Sequence, residues 1–233
     1  MAVLIALAAF PQSALFTVGR IEVTGTSTLE PAVVVDVAGL TVGMRLFAVD
    51  AASVLRRLRA DSRIKAAAIH VALPGTVRLD IVERQPRVAL VVGGQYASLG
   101  DDLVAVALAP SPGGLPEVID RTGSVPWVRV GARVASRGAR IALETLPLIP
   151  PALRADLARI TVLPGPDLVL VLRSGLEIRA GGPAGLDERL RQVPRVLDAL
   201  RGEGVSITAV DLRYAGSIAV TLATGRRSIV GVE

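Results

Sequence analysis

Apolar and polar positions alternate through Ile69, Val71 and Leu73 and again through Val77, Leu79 and Ile81, with Pro74-Gly75 between the two runs. Period-two alternation on both sides of a Pro-Gly turn predicts a β-hairpin over "IKAAAIHVALPGTVRLDIVER", both inner sets facing a core. Ahead of it, "FTVGRIEVTG" places Val18, Ile21 and Val23 in a short strand that ends at Gly25. Ser27 and Glu30 have the spacing of a capping box, followed by a short apolar helix, "AVVVDVAGL", that stops near Gly39. Asp50 is a good N-cap for "AASVLRRLRA", where Val54, Leu55 and Leu58 share one face and Arg56, Arg57 and Arg59 form a solvated one. The predicted order is strand, helix, helix, strand, strand.

Past Pro86 the pattern becomes strand-rich. "RVALVV" and "QYASLG-DDLVAVAL" predict short strands, "PSPGGLPE" a loop, and "DLVLVLRSGLEIRAG" a hairpin turning at Arg173 to Gly175. Between them, "ARVASRGARIALETL" reads as one helix ending before the Pro147–Pro151 region, followed by a helical turn and a strand. Leu186, Leu190, Val193, Leu197 and Leu200 make one helical stripe that contains Pro194 and ends near Gly202. The last clear hairpin is "VDLRYAGSIAVTLA". Val210, Leu212 and Tyr214 alternate with Asp211 and Arg213, Ala215-Gly216 turns, and Ile218, Val220 and Leu222 follow. The opposite face of that second run, Ser217, Ala219, Thr221 and Ala223, is small, so a sheet edge open to another chain is expected there.

The first sixteen residues, "MAVLIALAAFPQSALF", carry no charge. As a helix they reach ~24 Å, short of the ~30 Å hydrocarbon core. They fit most of a membrane anchor whose N-terminal end and basic flank are missing, a signal peptide without its basic n-region, or a buried helix. The anchor is the expectation carried forward, and Arg20 just after it argues mildly against an outside location for the remainder of the chain.

Composition narrows the function classes. Half of the 233 residues are hydrophobic but only 3% are aromatic, so the core is built from Leu, Val, Ile and Ala. The net charge of +5 rests on scattered arginines, with Lys65 the only lysine. Scattered charge and few aromatics exclude a stacking platform for nucleic acid. The absence of cysteine removes disulfides, thiol nucleophiles and thiolate metal sites. His70 is the only histidine and alternates outward on a hairpin strand. No G-x-S-x-G elbow accompanies it, and one His without Cys does not make a zinc site. Asp101-Asp102 reads as a solvated turn, and "GGQYASLG" lacks the strand-to-helix context of a phosphate loop. No catalytic residue, metal, cofactor or small-molecule substrate is expected.

The β-α-α-β-β order, the turns "GMRLFAVD" and "LPGTVRLDIVERQP", and the later helix followed by a "VDLRY" hairpin resemble the bacterial cell-division family FtsQ/DivIB. The resemblance runs from Phe16 to Ala223. It implies an α+β chain with a POTRA domain at 17–86 and a strand-rich mixed domain with two or three helices at 87–224. A partial single-pass anchor at 1–16 and a tail at 225–233 would complete it. It further implies a non-catalytic divisome scaffold in the cytoplasmic (inner) membrane, its bulk outside the cytoplasm, with FtsB, FtsL and other divisome proteins as partners. In that family FtsB adds a strand to the final edge. Carried over, the accepting strand is Ser217, Ile218, Ala219, Val220, Thr221, Leu222 and Ala223. Arg213 would meet an acidic partner, Tyr214 would be a rigid anchor, and Asp211 would support them. Leu222 and Ala223 stand where an aromatic is expected. Two other classes remain open: a POTRA-bearing assembly or secretion component, and a soluble binding module with the N-terminal stretch buried.

Overall fold

The computed structural model describes residues 16–123, 125–165, 167–202, 205–214, 217–224 and 226–231. Its contacts divide the chain into two units between Gln85 and Pro86. The expected anchor lies outside the described residues except for Phe16. Among the described residues no helix is long and apolar enough to cross a membrane.

The first unit runs β1 (Arg20–Thr24), α1 (Pro31–Ala38), a 3-10 turn (Leu46–Ala48), α2 (Ala51–Ala60), β2 (Ile64–Ala72) and β3 (Thr76–Glu83). β3 is central, parallel to β1 and antiparallel to β2. Val77, Leu79 and Ile81 on β3 are buried, as their alternation requires, against Val34 and Ala38 of α1 and Val54 and Leu58 of α2. Asp50 caps α2 by accepting from Ala52 N at 3.0 Å.

Two local expectations are corrected in this unit, and a third residue gains a contact. Ser27 and Glu30 form no capping box: Glu30 is the N-cap of α1 without a side-chain bond, and Ser27 Oγ donates to Glu83 Oε2 at 3.0 Å. Arg57 stays exposed, as expected, yet it is tied to the fold: its Nε donates to Ala38 O at 2.9 Å, closing the C-terminus of α1 where Gly39 turns left-handed at φ 64°. Val71 and Leu73 do not face inward but are exposed. The helices are too short to cover the end of the hairpin.

The second unit is one ten-stranded sheet in the order β13-β12-β11-β10-β9-β8-β7-β4-β5-β6. Its strands are β4 (Pro86–Val92), β5 (Gln95–Gly100), β6 (Ala105–Ala109), β7 (Glu117–Asp120), β8 (Leu157–Val162), β9 (Leu168–Leu172), β10 (Glu177–Gly181), β11 (Ile207–Asp211), β12 (Ser217–Leu222) and β13 (Arg227–Gly231). The helices are α3 (Arg137–Thr145), α4 (Pro151–Ala155) and α5 (Leu186–Gly202). The helix expected from Ala132 begins at Arg137 instead, capped by Ser136, whose Oγ accepts from Ala139 N.

Alternation along the sheet separates its faces. Ile160, Leu170, Ile178, Val210, Ile218 and Val220 form the core with Ala139 and Ala142 of α3 and Leu186, Leu190, Val193 and Leu197 of α5. The opposite residues, among them Arg179, Ala209, Asp211 and Ala219, stay partly accessible. The helix α5 runs through Pro194. Residues 225–233, read as a tail, contribute a strand instead: β13 pairs with β12 from Ser217↔Gly231 to Thr221↔Arg227.

Candidate functional site

The end of the sheet formed by β13 collects most of the expected site residues, and it redistributes their roles. β12 is not the edge. It is paired with β11 on one side and with β13 on the other. Leu222 N donates to Arg226 O at 2.9 Å, and hydrogen-bonded pairs recur at every second residue of an antiparallel ladder. The bonded pairs are therefore Leu222/Arg226, Val220/Ser228 and Ile218/Val230 in the observed register. The main-chain groups of Ala219 and Thr221 face β11, opposite Asp211 and Ala209. On β13 the N–H and C=O of Arg227 and Ile229 point off the end of the sheet.

Side chains divide in the same way. Ile218 and Val220 are 2% and 0% exposed and belong to the core, and Leu222 packs partly against it. Ser217, Ala219 and Thr221 face the other side. There, with Ala209, they floor a groove of ≈ 320 Å³. Tyr214 and Ile229 form its apolar walls, and Arg179, Asp211 and Arg227 supply its charge. Tyr214 leaves the alternation of β11, which ends at Asp211. It shares the groove with Asp211 instead of pointing with Val210 and Leu212, and the residue is 57% exposed. Ala223 is exposed and its N–H donates to Ser206 O at 2.9 Å. The turn at Ala215-Gly216 lies outside the described residues.

Arg213 already has an acidic partner. Its Nε and Nη2 donate to Asp211 Oδ1 and Oδ2 at 2.9 and 2.7 Å, a fork-to-fork pair. Hydrogen bonding from Arg213 holds the Asp211 carboxyl below its usual value against the opposing effect of partial burial, and the same contact raises Arg213. The arginine thus ties the segment leading to Tyr214 to the end of β11. Arg179 is likewise tied, its Nε donating to Glu177 Oε1 at 2.8 Å.

Sequence reasoning missed Arg227, Ile229, Ala209 and Arg179. For β13 a signal existed: Thr224-Gly225 is a turn dipeptide, and the β-branched pair Ile229-Val230 follows it.

The residues weighed for catalysis are dispersed. His70 is exposed on β2 and its Nε2 lies 3.1 Å from Asp80 Oδ2. Asp102 Oδ1 accepts from Val104 N at 3.3 Å in the turn between β5 and β6. Among the described residues no three His, Asp or Glu side chains gather as a metal-binding group.

Comparison with known proteins matches two family models. The POTRA domain, FtsQ-type, covers residues 16–84, and the Cell division protein FtsQ/DivIB, C-terminal, covers residues 101–213. Tyr214, β12 and β13 lie beyond the second match. Cell division protein FtsQ of Streptomyces bingchenggensis is 30% identical over 160 residues, 68% of this chain and 60% of that protein. That of Corynebacterium glutamicum is 37% identical over 71 residues, 30% of this chain and 32% of its own length. That of Mycobacteroides abscessus is 28% identical over 184 residues, 78% of this chain and 56% of its own length. The matched part of this chain thus spans 60% or less of each relative.

Proposed function

The chain belongs to the FtsQ/DivIB family of cell-division proteins, and from that membership we propose that it is a non-catalytic scaffold of the divisome. Its N-terminal segment anchors it in the cytoplasmic membrane, with both folded units outside the cytoplasm. It binds the extracytoplasmic parts of FtsB and FtsL at the β13 end of the large sheet. The carrying observation is that the main-chain groups of Arg227 and Ile229 face off the sheet beside a groove floored by small side chains.

A partner strand added to β13 takes affinity from those main-chain groups, and side chains reaching over β13 enter the groove. Tyr214 supplies a large, stiff contact there, of the kind that dominates binding energy at interfaces. Ser217, Ala219 and Thr221 act as the groove floor. Ile218, Val220 and Leu222 act from beneath by holding β12 in place. Asp211 and Arg213 keep Tyr214 in position. Arg226 and Arg227 put charge on the edge, which discourages self-pairing of identical chains.

The test is calorimetry of the full chain in detergent with the extracytoplasmic segments of FtsB and FtsL from the same organism. Tyr214→Ala is expected to weaken binding about 30-fold, the equivalent of ~2 kcal/mol. Ile229→Pro removes an outward donor without touching the β12 ladder and should abolish strand addition. Unchanged affinity in both variants would remove the partner from this edge.

A further inference from the structure

At the end of the first unit where the chain enters from its uncharged N-terminal stretch, the three most exposed large apolar residues of that unit lie on separate segments. Phe47 is 71%, Val42 66% and Leu73 67% exposed. Val42 and Phe47 both lie in the α1–α2 connection, Phe47 in its 3-10 turn, and Leu73 opens the β2–β3 turn. The backbone at Thr17–Arg20 ties these segments together. Val18 N donates to Met44 O at 2.8 Å and Gly43 N to Val18 O at 2.7 Å. On the other side Gly19 N donates to Gly75 O at 2.8 Å. The packing is so close that a side chain at Gly75 would meet Thr17 O at 2.3 Å. Phe16 packs against Phe47 with ring centroids 5.4 Å apart and the rings tilted by 38°. Residues 1–15, which precede Phe16 directly, contain no charged side chain.

We propose that this end of the first unit is a lipid-contacting surface, in which Val42, Phe47 and Leu73 enter the interfacial region of the bilayer. The inference rests on the reading of residues 1–15 as a membrane anchor. Three large apolar side chains left in water on adjoining loops gain by transfer to the headgroup–acyl boundary. The occupant is argued from continuity. The uncharged stretch leads into Phe16, which touches Phe47, so a bilayer that holds the stretch lies within reach of the loops. The surrounding charge agrees, because Arg20 and Arg45 are exposed beside the patch. Long basic side chains at such a boundary reach out to anionic headgroups while their stems stay on apolar surface. A second attachment of this kind would fix the orientation of the first unit on the membrane, which an anchor alone leaves free.

The chain has no cysteine, so single cysteines at Val42, Phe47 or Leu73 can each carry one NBD fluorophore. Ala66→Cys is the control, an exposed position on β2 roughly 23 Å along the strand from Leu73. The labelled full chain is reconstituted in vesicles containing phosphatidylglycerol, and flotation reports whether it is anchored. The expected result is blue-shifted emission at 42, 47 and 73, quenched by doxyl-labelled lipid, with the label at 66 quenched by aqueous iodide. Adding Val42→Asp and Phe47→Asp should return the label at 73 to iodide while flotation persists. A chain that floats with all four labels equally open to iodide overturns the lipid surface and leaves the anchor standing. A chain that does not float overturns the anchor and the inference with it. Circular dichroism of each variant checks that the unit is folded, as substitutions at exposed positions should leave it.

Discussion

Two carboxylates do more for this fold than their positions suggest. Glu83, at the end of β3, accepts main-chain N–H groups of Ser27, Thr28 and Leu29 at 2.7, 3.0 and 2.8 Å. Desolvation is the largest single influence on its pKa and pushes it up, but the three backbone donors together outweigh it and bring it from 4.5 down to about 2. A depressed folded pKa stabilises above the unfolded value and ceases to do so as pH falls through the folded one. Glu83→Gln should therefore melt below wild type above pH 4.5, the gap closing as pH falls toward 2. Parallel melting profiles between those limits would show that the carboxylate is not the cap. Asp120 does the equivalent work in the second unit, accepting from Thr122 N, Ser136 Oγ and Gly138 N at 2.8, 2.7 and 2.9 Å. A Cβ on Gly138 would stand 2.4 Å from that carboxylate. Gly138→Ala should cost about 1–3 kcal/mol by overpacking, read as a lower denaturation midpoint, and no loss would mean the α3 start is loose.

At the scale of elements, the strands and helices with long, consistent periods were legible from sequence. β3 buries the residues its alternation assigns, α5 packs its stripe on the core with Leu200 partly buried, and α2 buries Val54 and Leu58 but leaves Leu55 half-buried. What was not legible depends on partners distant in the chain. Glu83 meets residues 27–29 across more than fifty positions, so Ser27 looked like a helix cap. Arg57 reaches the end of a helix that local pattern cannot place beside it. β13 is a five-residue strand whose outward residues, Arg227 and Ile229, read as an unstructured tail. Its presence changes what a proline would do. At Ala219 the N–H faces β11, so Ala219→Pro should break the β11–β12 pairing and lower stability as well as binding. At Ile229 the N–H faces outward, so the same substitution should leave the melting temperature near wild type. Equal destabilisation by the two variants would overturn the assigned ladder phase.

For the whole molecule, the decisive feature is that it has two cores with no residue in common. The first is centred on β3 with Val54 and Leu58 of α2, the second on the middle of the large sheet with α3 and α5. The proposed partner site draws only on the second, through β12 and the groove above it. Leu58 is fully buried in the first core, and Leu58→Ala should cost about 2–5 kcal/mol there. If the proposed edge is the whole of the partner surface, that variant binds the extracytoplasmic segments of FtsB and FtsL with wild-type affinity, even at temperatures where the first unit has begun to melt. Calorimetry across the first unit's transition, followed in parallel by circular dichroism, tests this directly. Affinity that falls in step with the first unit's melting would place part of the partner surface on it. The β2 edge would then be the next segment to probe, because among the described residues β2 pairs with β3 alone. Affinity that holds would confine recognition to the last strands, the segment that the family match at residues 101–213 leaves uncovered.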